Sequence, residues 1–77
     1  MRAAEIFEVE PIHSFMSRRV AQRVDQFWDA APNHPQEAVA EAKLFYQWLQ
    51  SHRMTGEADL QRKQLLRQVY DFLDFMR

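Results

Sequence analysis

From Leu65 to Met76 the chain carries more apolar surface than one face of a helix can hide. At helical spacing Leu65, Val69, Phe72 and Met76 form one stripe, Leu66, Tyr70 and Leu73 form a second beside it, and Phe75 lies outside both. A helix packed on one side of a globular core needs a single such stripe. A helix with two is either the centre of its own bundle or half of an interface with another chain.

Size makes that choice pressing. The 77 residues read as one domain, and a domain this small buries only roughly 60% of its unfolded surface. Self-association or a partner protein supplies what so thin a core lacks. Cys is absent, which excludes a disulfide framework, a Cys-based zinc site, a thiol nucleophile and a redox pair, and fits a reducing, cytoplasmic setting. Residues 1–9 lack a basic region followed by an apolar core, and no apolar run approaches the ~20 residues of a membrane span. Neither export by that route nor membrane insertion is expected.

One Gly and three Pro divide the chain into helical segments. Pro11 suits a first helical position, and Ile12, Phe15, Met16, Val20, Val24, Phe27 and Trp28 then recur at steps of mainly three or four. Arg18, Arg19, Arg23, Asp25 and Asp29 fall on the opposite, solvent side, giving a helix over 11–30. Pro32 ends it. Asn33 with Gln36 three residues on predicts a capping box for a second helix over 34–54, with Gly56 as its stop. Thr55 or its successors cap a third helix over 57–76, whose early acids and later bases complement the helix dipole and allow an Asp59–Lys63 pair. The short second link makes the last two helices antiparallel neighbours. The expected fold is therefore all-α, a small three-helix bundle with an αα-hairpin and a short extended N-terminal arm over 1–10. Its expected core includes Phe15, Val24, Phe45, Leu49, Leu66, Val69 and Leu73.

Catalytic chemistry finds no constellation to rest on. Glu10 and His13 have the Glu-x-x-His spacing of carboxylate-bridged metal bundles, but one copy is not a site and Pro11 puts Glu10 at or outside the helix start. A metal-binding bundle of paired chains through these residues is the third reading of the chain. His34 beside a cap and His52 near a helix end are explained by local hydrogen bonding. The carboxylate pairs Glu37–Glu41, Asp25–Asp29 and Asp71–Asp74 belong to solvated helix faces, with no enclosed pocket implied that would shift their titration. Four Ser and Thr hydroxyls without a base and orienter make no nucleophile, and a single Gly makes no phosphate-cradling loop. No enzyme and no cofactor are expected.

Ten basic against eleven acidic residues leave a formal net charge of −1, a balance that does not favour neutralising phosphates. Two clusters, Arg18/Arg19/Arg23 and Arg62/Lys63/Arg67, nevertheless make a small nucleic-acid-associated regulator the alternative function. The favoured reading comes from what is left over. Trp28, Leu44, Trp48, Phe72, Phe75 and Met76 exceed what single stripes in a three-helix core require, and aromatics with Arg dominate binding hot spots. Those six residues are the expected contact surface of a non-enzymatic protein-interaction module, an adaptor, regulator, chaperone or inhibitor working as a homodimer.

Overall fold

A computed structural model describes residues 18–77. Three helices, α1 (Arg18–Ala30), α2 (Pro35–Ser51) and α3 (Gly56–Met76), form a small all-α bundle with no strand among the described residues. The expected arm over 1–10, the helix start at 11, Phe15, and the Glu10–His13 pair lie outside the described residues.

The first link shows how local chemistry sets a boundary. Ala31 N–H still bonds to the Phe27 carbonyl at 3.0 Å, and Asn33 and His34 N–H both return to the Ala30 carbonyl, at 3.1 and 2.8 Å. Pro35, lacking an N–H and with φ already helical, then occupies the first helical position of α2. His34 is consequently the cap, and no side chain hydrogen-bonds there. The expected Asn33–Gln36 box does not form, because the cap lies one residue later and the third helical position falls on Glu37 rather than Gln36.

Helix α2 stops at Ser51, earlier than the expected 54. Side-chain donors close it: Ser51 Oγ and His52 Nδ1 both donate to the Trp48 carbonyl, at 2.9 and 2.8 Å, and Arg62 Nη1 donates to the Leu49 carbonyl at 2.9 Å. Carbonyls satisfied in this way leave the helix no reason to continue. Gly56 thus does not terminate α2. Its φ of +64° opens α3 instead, a backbone state costly for other residues although the space beside it is empty. Thr55, in an extended conformation, is the α3 cap.

Packing follows the helical periods. Ala21, Val24 and Phe27 of α1, Ala38, Ala42, Phe45 and Leu49 of α2, and Leu65, Val69 and Phe72 of α3 are buried as one cluster. Ala21 and Ala42 are fully buried, and their short side chains let the helix backbones approach. Asp25, expected on the solvent side, is buried instead, because it stands four residues after buried Ala21 and beside buried Val24, at the edge of the inward face. Leu66 and Leu73, expected in the core, are only partly buried and pack against it from outside, as does Met76.

Phe72 moves the other way. Expected at an interface, it is 0% exposed, because Leu65, Val69 and Phe72 at four- and three-residue steps form the centre line along which α3 meets both other helices. Its removal has a large cost. Truncating a buried Phe to Ala destabilises by about 3–5 kcal/mol, against a total of about 5–15 kcal/mol for a typical domain. Phe72→Ala is therefore expected to leave the chain marginally folded in urea titrations followed by circular dichroism, and a midpoint close to wild type would refute this placement.

Candidate functional site

Three surfaces remain outside the core, each made by a different pair of helices or flank. The first joins α1 to α3. Trp28 lies edge-on to buried Phe72, with ring centroids 4.8 Å apart and planes at 85°, and 5.2 Å from Phe75. Trp28 is 38% and Phe75 72% exposed. Phe75 follows Phe72 by three residues but falls past the buried line, as its position outside both sequence stripes implies. The pair is an aromatic patch whose floor is rigid core and whose rim is open.

The second surface is the outer flank of α2. Trp48 stacks on Phe45 at 5.7 Å with planes 17° apart and lies 4.5 Å from the His52 ring. Leu44, one helical turn before it, is 66% exposed. Arg23 reaches across from α1, its guanidinium carbon 5.3 Å from the Phe45 centroid and 6.0 Å from that of Phe27, within cation–π range of both. This arginine clips α1 to α2 over the edge of the core.

The third comprises two separate cavities between α2 and α3. One, about 380 Å³, is lined by Val39, Tyr46, Leu73 and Met76 with Lys43 and the Asp74–Arg77 pair. The other, about 460 Å³, is polar and lined by Gln50, Arg53, Met54, Asp59, Arg62 and Lys63. The sequence-derived sites did not include Val39, Lys43 or Tyr46. A signal existed in their four- and three-residue spacing along α2, but Lys43 interrupts the apolar pair.

The basic clusters are distributed differently from the nucleic-acid expectation. Arg18 and Arg19 are exposed on α1, Arg23 lies over aromatic rings, and Arg67 pairs with Asp71 at 3.2 Å. Arg62 is a structural residue. It is buried, and besides the Leu49 carbonyl it holds Asp59 through Nε and Nη2, both at 2.9 Å. Lys63 completes the expected pair with Asp59 at 3.4 Å. Among the described residues no group of three or more His, Asp or Glu is placed to hold a metal ion, and no helix is long and apolar enough to cross a membrane.

No family model, curated protein or solved structure matches the chain.

Among the described residues, Asp59 is a carboxylate whose titration folding alters. The Arg62 hydrogen bond holds it below the usual carboxylate range, aided by the charge of Arg62, a backbone hydrogen bond from Met54 and Lys63, and opposed by partial burial. A carboxyl lowered by folding stabilises the fold above its unfolded value of about 3.9, and that contribution is lost as pH falls through the lowered folded value. Asp59→Asn removes the titration. The variant is expected to be less stable than wild type near neutrality, with the difference shrinking as the pH drops below about 4; urea midpoints measured down the acid range check this, and a difference independent of pH contradicts it.

Proposed function

We propose that this chain is a non-enzymatic protein-interaction module that works as a homodimer, using the aromatic patch between α1 and α3 as its contact surface. The observation that carries this reading is Phe75. A large aromatic ring, mostly in solvent, is braced by Trp28, which is itself seated on the core through Phe72. Such an anchor loses little conformational entropy on association and brings a large apolar area to a contact. A patch near the end of α3 also suits isologous pairing, in which the same face of each copy is self-complementary.

Leu44 and Trp48 extend the exposed apolar surface onto α2 and are the second contact region. Trp28, Phe75, Leu44 and Trp48 remain the contact residues of this reading, while Met76 is half-buried against the core. An adaptor, regulator, chaperone or inhibitor would each use a rigid helical face in this way.

Light scattering coupled to size exclusion tests the proposal. Wild type is expected at twice the chain mass, and Phe75→Glu at the monomer mass with its thermal unfolding little changed, since Phe75 contributes little to the core. A wild-type monomer over a wide concentration range would end the self-pairing reading.

A further inference from the structure

One exposed line of α3 carries an apolar residue at each end and an ion pair near its middle. Leu60, Gln64, Arg67, Asp71 and Phe75 follow one another at steps of four, three, four and four, and all five are exposed. That spacing is the seam along which one helix packs on another. Leu60 is 61% and Phe75 72% exposed, and the distance from one to the other along the helix is about 22 Å. Leu60 belongs to neither contact region described above.

This line complements itself when turned end over end. A two-fold axis crossing the helix direction between Arg67 and Gln68 sets Leu60 of one copy against Phe75 of the other, and Gln64 against Asp71. Arg67 holds Asp71 of its own chain at 3.2 Å, and the same rotation brings it within one helical turn of Asp71 on the second copy. Charges of opposite sign then alternate across the centre. Two copies laid in the same direction would instead set Arg67 on Arg67 and Asp71 on Asp71, like charges that penalise the arrangement.

We infer that two copies of this chain associate with α3 packed antiparallel on α3, Leu60 of each copy seated on Phe75 of the other and the two Arg67–Asp71 pairs crossing at the centre. The inference rests on the homodimer reading and deepens it, by naming the helix, its direction and a further contact residue. An isologous contact requires one face to be complementary to itself, a property that a helix of another protein would not call for. The apolar ends supply buried area, and the central charges fix direction and register. Phe75, braced by Trp28, is the rigid receiving side of each Leu60 contact.

Because the chain has no Cys, single-cysteine variants of the full chain report the arrangement without background. With a short bismaleimide, a mixture of Leu60→Cys and Phe75→Cys is expected to give a cross-linked dimer on a denaturing gel that neither variant gives alone. Gln68→Cys, beside the axis, is expected to link to its own copy. By light scattering, Leu60→Glu is expected at the monomer mass with the circular dichroism of wild type. Arg67→Asp is expected to raise the dimer dissociation constant at least ~10-fold, and Arg67→Asp/Asp71→Arg to restore it. A wild-type dimer in which Leu60→Cys or Phe75→Cys links to itself, Gln68→Cys fails to link, or Leu60→Glu stays dimeric would overturn the inference and leave the homodimer reading standing. A wild-type monomer would overturn both.

Discussion

The bundle depends on one aromatic junction. Phe27 of α1 lies 5.8 Å from Phe45 of α2 and 5.9 Å from Phe72 of α3, so a single side chain touches both arms of the hairpin. The chain joins α1 to α2 but not directly to α3, so these ring contacts help to hold α1 and α3 together. With Trp28 also edge-on to Phe72, α1 contacts that ring through two successive aromatics. Edge-to-face contacts of this kind add about 0.5–1.5 kcal/mol beyond the area they bury.

The hairpin itself is held by a different device. Arg62 enters the interior near the C-terminal end of α2, beside the turn into α3, bonds the Leu49 carbonyl, and is neutralised there by Asp59. A buried charge is costly unless paired and hydrogen-bonded, and Arg62 is both. Its benefit is register: the bond links residues 13 apart and aligns the α3 stripe with that of α2. The same alignment sets Lys43 together with Tyr70 and Leu73 around one cavity. An interior constraint thereby shapes a surface.

Much of this was legible in the sequence. The all-α class, the three helices, the hairpin and the Asp59–Lys63 pair followed from period and punctuation, which depend on neighbours within one or two turns. Val24, Phe45, Leu49 and Val69 were recognisable as core for the same reason. The misplaced residues were those whose fate depends on a second helix. Phe72 and Phe75 are chemically alike and three positions apart, yet one is sealed and the other lies in solvent. Arg62 read as a surface cation beside Lys63, although its side chain turns inward to a carbonyl on another helix.

By itself, then, the sequence determined that this chain forms three amphipathic helices and that the last carries two apolar lines. Helical periodicity is a local property, and local chemistry suffices to write it. Tertiary structure decided which of the two lines on α3 faces α1, which aromatic residues are left outside, and that Lys43 and Tyr46 share a cavity with Tyr70 and Leu73. Those outcomes turn on the rotation of each helix about its axis, and that rotation is set by how Phe27, Phe45 and Phe72 pack together, a constraint no single helix contains.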